Sequence, residues 1–326
     1  MPDTTAVSRP PFDPEFVPFL EAMDARGRFH LETPMLPQMR QLDVTEAQLD
    51  EGLRARGLER HSITVHGHLG DPIALAVVQR IGRTGTTACA YAIHGGGMMF
   101  GHHLGNLDSY DDWLLVHDVV LVSPDYRLAP EHPDPYPVED CYAGLAWVAE
   151  HADELGVDPE RIVLVGQSAG AGLAAGTALL ARDRQGPAVV GQVLVSPMLD
   201  DRDATLSARQ FDGVGVADRE MTRFGWDAYL GDRRGGADVS IHAAPGRATD
   251  LAGLPPAYVD CGSAEVFRDE AVAYAGALWA AGVQAELHVW PGAFHGSTSM
   301  LPQATLSRRA VAALRDWTGR LLGSAA

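Results

Sequence analysis

The sequence predicts an α/β protein with a mostly parallel sheet flanked by helices. Three observations lead there. From His61 almost to the C-terminus, apolar strand-like runs alternate with helix-period segments, the pattern of parallel strands joined by helical crossovers. Runs such as Ala88 to Ile93 are continuously apolar, as buried strands are. Between the run Arg161 to Val165 and a small-residue helix stands Gly166-Gln167-Ser168-Ala169-Gly170, the context of a serine on a sharp strand-to-helix turn.

In chain order, residues 1–58 are unlike the rest. Proline and aromatic residues dominate Pro10 to Pro37, and Thr45 to Gly57 reads as an amphipathic helix ended by glycine. Residues 59–198 then carry the first part of the core. Ile63 and Val65, then Ile73, Leu75 and Val77, alternate as two antiparallel strands. Strands follow at Ala88 to Ile93, Val119 to Val122, Arg161 to Val165 and Val190 to Val195, with helices at Tyr142 to Ala152 and Ser168 to Arg184. Residues 199–246 break the alternation and hold Phe211, Phe224, Trp226 and Tyr229. An insertion at the carboxyl end of a strand lies where open α/β sheets bind ligands, so 1–58 and 199–246 are expected to form a cap. The core resumes over 247–326 with strand Ala257 to Cys261, helix Arg268 to Ala281, strand Ala285 to Trp290 and helix Leu306 to Leu322.

Composition narrows the chemistry. The chain has 326 residues, 46% of them hydrophobic, and a net charge of −18, which disfavours nucleic acid and anionic membrane as partners. All 25 basic residues are arginine, so Schiff-base, Ser-Lys and phosphate-loop lysine mechanisms are excluded. Cys89, Cys141 and Cys261 are far apart and lie in apolar stretches; free buried thiols are expected. Met1-Pro2-Asp3-Thr4 has no apolar core, so no signal peptide is expected and a cytoplasmic location follows. No metal-ligand spacing occurs, and His102-His103 reads as a solvated pair near the site mouth. Gly170-Ala-Gly172-Leu-Ala-Ala175 fits a loose dinucleotide fingerprint, yet the next strand ends without an acid for a ribose; no cofactor is expected.

Ser168 is the candidate nucleophile, and its hydroxyl needs a base within hydrogen-bond reach. His288 lies in the last strand and His295 in the loop after it; a loop histidine can swing over Ser168. The orienting acid is sought after strand Ala257 to Cys261, among Asp260, Glu265, Asp269 and Glu270. Asp269 and Glu270 begin a helix, where carboxylates complement the dipole, whereas Glu265 sits in the loop and can reach back to an imidazole. Upstream, His94-Gly95-Gly96-Gly97 presents bare N–H groups to an oxyanion, each worth about 3 kcal/mol in the transition state, and the Ala169 N–H can join them. His94 itself is expected to hydrogen-bond this loop. Phe12, Phe16, Phe211, Phe224 and Trp226 are candidates to line an apolar pocket.

Several stretches together resemble the bacterial hormone-sensitive-lipase-like esterases, a family of α/β-hydrolases. They are His94-Gly-Gly-Gly-Met-Met-Phe-Gly101, Asp125-Tyr-Arg-Leu-Ala-Pro-Glu131 with His132 to Asp140, Gly166 to Gly170, Glu265 to Glu270, and Phe294-His295-Gly296. The resemblance implies an α/β-hydrolase fold with an eight-stranded, mostly parallel sheet and a helical cap. It implies Ser168, Glu265 and His295 as triad, Gly96, Gly97 and Ala169 as oxyanion donors, and hydrolysis of short-acyl carboxylic esters. Homodimers through the last strand and helix are common in relatives. Two positions depart from the commoner pattern: Gln167 replaces an aspartate, and Glu265 stands where aspartate usually begins the acid motif. The Asp125 to Glu131 stretch is expected to be scaffolding, with Arg127 in a carboxylate network beneath the glycine loop. Two other functions share the fold: a non-catalytic ligand-binding protein, which the presence of His295 argues against, and a hydrolase of small amides or lactones. A long-chain lipase is disfavoured because the cap is short and no interfacial helix is evident.

Overall fold

Eight strands form one sheet in the order β1-β2-β4-β3-β5-β6-β7-β8 in the computed structural model, which describes residues 7–27 and 30–323. The strands are β1 Leu58–His66, β2 Pro72–Arg80, β3 Thr87–Ile93, β4 Val120–Pro124, β5 Val157–Gln167, β6 Gly191–Val195, β7 Ala257–Gly262 and β8 Ala285–Trp290. β2 runs antiparallel to both β1 and β4, and every later pairing is parallel. The antiparallel pair and the parallel remainder match the sequence reading. Met1 to Thr4, the basis for expecting no signal peptide, lie outside the described residues. Among those described, no helix is long and apolar enough to cross a membrane.

The sheet is covered on both faces, so β3 and β4 are buried almost throughout. Val77, Tyr91, Val122 and Leu164 join the larger core layer with helices Tyr136–Glu150 and Ala169–Asp183. Ala90, Leu121, Val163 and Val193 pack on the other face with Leu114 and Trp317. The three cysteines are free and buried. Helix Glu46–Ala55, expected from its amphipathic pattern, begins at a capping box in which Thr45 and Gln48 bond each other's backbone.

Two boundaries differ from the sequence reading. The helix expected from Tyr142 begins at Tyr136. Pro137 sits in its first turn, where a missing N–H costs no helical bond, so the proline run does not mark a loop. The segment Pro10 to Pro37 contains helix Val17–Asp24, which likewise has proline in its first turn.

The expected carboxylate network of Arg127 is present. Its guanidinium bonds both Asp140 oxygens at 2.7 and 2.8 Å, Asp71 at 2.6 Å and the His68 carbonyl at 2.8 Å. These groups tie the β1–β2 turn to helix Tyr136–Glu150, and the adjacent Tyr126 donates to the His94 carbonyl at the head of the glycine loop at 2.8 Å. The arginine against that loop is Arg40, which the sequence did not single out. It donates to the carbonyls of Met99 and Ala129 at 2.8 and 2.9 Å and pairs with Glu131. Asp140 is fully buried, so losing Arg127 strands a carboxylate in the core. Arg127→Ala is expected to lower unfolding stability by about 3 kcal/mol or more in a urea titration. Adding Asp140→Asn should restore part of that loss; no recovery would mean the ion pair is not the cause.

Candidate active site

Ser168 follows β5, in the middle of the sheet, and caps helix Ala169–Asp183. Its backbone is strained, with φ 59° and ψ −126°, a region that costs about 1–3 kcal/mol for a residue with a side chain. The flanking glycines permit the turn. A Cβ at Gly166 would lie 2.3 Å from the Gly170 backbone, and one at Gly170 would lie 2.1 Å from the Ile93 carbonyl. Gly172, from the stretch that resembled a dinucleotide fingerprint, and Gly176 beyond it let the helix pack closely: a Cβ at either would meet a backbone carbonyl, of Met198 or His242, at 2.1 Å.

His295 Nε2 stands 3.1 Å from Ser168 Oγ, within hydrogen-bond reach. The loop after β8 places it there, with the edge of the imidazole against the Phe267 ring at 5.1 Å. His288 instead stays in β8, stacked on Trp290 and bonded to Glu286 at 2.9 Å. Glu265 is 2% exposed, and its Oε2 lies 3.7 Å from His295 Nδ1, longer than a hydrogen bond. That oxygen accepts from Ser196 Oγ at 3.0 Å, so Ser196 is a neighbour of the acid that no sequence pattern announces.

The other three acids are engaged elsewhere. Asp269 accepts from the Ser207 N–H at 2.8 Å and the Arg268 guanidinium, anchoring helix Leu206–Gln210. Glu270 accepts from the N–H groups of Leu199 and Asp200, and burial drives its carboxyl well above the usual range. Asp260 accepts from Tyr258 and Trp290; burial, and then the nearby Glu265, push it up to about 6.

His94-Gly95-Gly96-Gly97 runs past the end of β3, next to β5. Gly96 has φ +115°, and a Cβ there would sit 2.1 Å from the Phe100 carbonyl, so only glycine fits. Among the described residues, no protein acceptor engages the N–H of Gly96, Gly97 or Ala169. His94 holds the loop: its Nδ1–H donates to the Gly95 carbonyl at 2.8 Å, and its ring stacks on Tyr126 at 4.3 Å. Burial lowers its pKa to about 4, so the ring is neutral at pH 7. The neighbouring pair is less solvated than the sequence suggested. His103 is 7% exposed and lies 3.0 Å from Asp125, while the half-buried His102 stacks on it.

Ser168, His295 and the glycine loop open into a cavity of about 900 Å³. None of Phe12, Phe16, Phe211, Phe224 and Trp226 lines it, which corrects the sequence expectation. Phe211 is fully buried against Phe12, Phe16 packs edge-on against Phe294, and Trp226 is buried beside Tyr229. Phe224 is half-buried outside the cavity. Large rings bury the most apolar area, so they were drawn into the seams between segments and core. Methionine takes their place: Met23, Met39, Met99, Met198, Met221 and Met300 line the cavity. Their unbranched thioethers make an adaptable wall. The nine methionines were visible in the sequence, but no periodicity marked six of them as lining one space.

Known proteins resemble this chain in sequence and in fold. A family model for the alpha/beta hydrolase fold matches residues 90–299. The chain is 41% identical to the carboxylesterase NlhH of Mycobacterium tuberculosis over 62% of its length. That match spans 64% of the relative's own length. The esterase LipI of the same organism is 38% identical over 68% of the chain and 70% of LipI. Among solved structures, a bacterial heroin esterase superposes with a TM-score of 0.84 at 37% identity, covering 96% of this chain and 98% of that one.

Proposed function

The chain belongs to the bacterial hormone-sensitive-lipase-like esterases of the α/β-hydrolase family, and from that membership we propose that it is a serine carboxylesterase acting on short-acyl esters. The observation that carries the reading is the 3.1 Å approach of His295 Nε2 to a strained Ser168 beside three unengaged N–H groups. In this mechanism His295 takes the Ser168 proton as Oγ attacks the ester carbonyl. The N–H groups of Gly96, Gly97 and Ala169 receive the oxyanion. His295 then gives its proton to the departing alcohol, leaving an acyl-serine. A water repeats the sequence: His295 takes its proton, the acyl group leaves as the acid, and the proton returns to Ser168. Glu265 orients the imidazole and steadies its positive charge. Its present 3.7 Å separation from Nδ1 would shorten as that charge develops.

Segments 1–58 and 199–246 are the cap in this reading. What supports it is that Met23 and Met39 from the first and Val216 and Met221 from the second line the cavity above Ser168. A cytoplasmic location is proposed on the three free buried thiols. A homodimer is proposed through β8, which pairs with β7 on one side and ends the sheet on the other.

A fluorophosphonate probe tests the reading against a ligand-binding protein on the same fold. The expected result is labelling at Ser168 alone, with loss of p-nitrophenyl butyrate hydrolysis in proportion. A folded chain that neither labels nor hydrolyses the ester would favour the binding protein.

A further inference from the structure

The turn after β6 holds a serine in a conformation that side chains rarely adopt. Ser196 follows Val195, the last residue of β6, and has φ +45°. A side chain is strained in that left-handed region, whereas glycine enters it freely. Pro197 comes next, and the residue before a proline is pushed toward extended angles with negative φ. The Ser196 N–H nevertheless donates to the Asp260 carbonyl at 2.7 Å, so the strand end stays bonded to β7. Strain of this kind persists where the surroundings hold it in place, and it gathers at functional sites. Here the side chain has one hydrogen-bond partner among the described residues. Ser196 is buried, and its hydroxyl donates to Glu265 Oε2 at 3.0 Å.

Glu265 depends on that bond. Its side chain is fully buried, and a buried ionised carboxylate needs donors to hold it. Among the described residues its one hydrogen-bond donor is Ser196, and its one ion-pair partner is His295 at 3.7 Å. The other groups around it are acidic: Asp260 and Cys261 on β7, and Glu270 on helix Arg268–Ala280. Burial raises the pKa of all three, and the nearby Glu265 charge raises them further. Glu265 Oε1 and His295 Nδ1 are both buried without a hydrogen-bond partner among the described residues. The Nδ1–H therefore faces a carboxylate with acceptor capacity to spare.

We propose that Ser196 is a positioning residue for the reaction: its hydroxyl holds the Glu265 carboxylate ionised and in place beside His295. This rests on the carboxylesterase reading, in which Glu265 is the orienting acid. Without the hydroxyl, the carboxylate keeps its acidic neighbours, loses its donor and takes up a proton more readily. His295 then lacks the counter-charge that favours its own protonated form. Ser196 does not line the cavity, so its effect reaches the substrate only through Glu265 and His295. A glycine would relieve the strained φ but would leave Glu265 without a donor, which gives the position a reason to keep a serine.

The test uses Ser196→Gly and Ser196→Ala with p-nitrophenyl butyrate. Glycine suits the backbone at this position, so the first variant should unfold close to the wild-type midpoint. Each variant should lower kcat about tenfold or more, as for a lost hydrogen bond to a charged group, with KM within about twofold. The acid limb of the kcat/KM profile reports His295 in the free enzyme. Neutral His295 is the base, so a lower imidazolium pKa moves that limb to lower pH, by about half a unit. A purely structural defect would lower the rate without moving the limb. In a Glu265→Gln background the same substitutions should cost less than about twofold, because the charge they position is gone. Unchanged kcat in the folded variants, an unmoved limb, or equal losses in both backgrounds would each overturn the proposal. Failure of both variants to fold would make Ser196 a packing residue and overturn it too. A wild-type chain that hydrolyses no ester would instead overturn the carboxylesterase reading, and the role of Ser196 with it.

Discussion

Ser168→Ala is expected to lower kcat for p-nitrophenyl butyrate by at least about 10⁴-fold. In the proposed mechanism the hydroxyl forms the acyl-enzyme, and His295 Nε2 faces it at 3.1 Å. Once it is gone, the imidazole can only activate water, and the oxyanion donors retain a small residual rate. The fold should be little affected. Alanine keeps the strained φ of 59°, and the side chain gives up one hydrogen bond, that to His295. Equal unfolding midpoints with lost turnover and lost fluorophosphonate labelling would place the defect in the chemistry. Undiminished turnover in the variant would remove Ser168 from the mechanism.

Glu265→Gln should cost about 10²- to 10⁴-fold in kcat/KM, whereas Asp269→Asn should stay within about tenfold. In the proposed mechanism the buried Glu265, 3.7 Å from His295 Nδ1, stabilises by its charge the imidazolium that forms as Ser168 attacks. An amide keeps the shape and the Ser196 contact but removes that charge. Asp269 points to the Ser207 N–H and to Arg268, so its loss should loosen helix Leu206–Gln210 and act mainly on KM. If Asp269→Asn proved the more damaging of the two, the orienting acid would be misassigned.

The parts that were legible are those fixed by short-range physics. Alternation of apolar runs marks strands, and the amphipathic run from Thr45 ended by Gly57 marks a helix. Gly166 and Gly170 mark a turn where a Cβ would strike backbone. His295 and Glu265 were separable from His288, Asp269 and Glu270 because loop residues can reach across the carboxyl edge of a sheet and residues inside elements cannot. What escaped depends on partners far apart in the chain. Arg40 supports the glycine loop from 59 residues upstream of Met99, and Ser196 meets Glu265 across 69 residues. No local pattern announces either contact.

The aromatic residues show the same division. Phe12, Phe16, Phe211 and Trp226 were read as pocket wall from their chemistry, yet chemistry also makes them the best filling for a seam. Which space they fill was decided when the segments packed, and six methionines took places in the cavity wall. The sequence by itself determined the fold class, the serine turn, the glycine loop and the shortlist of acids and bases. Each follows from backbone geometry or from chemistry confined to a few neighbouring residues. Only the tertiary structure decided the lining of the cavity and the brace that Arg40 gives beside the glycine loop. Those arise where side chains from distant segments compete for the same buried volume.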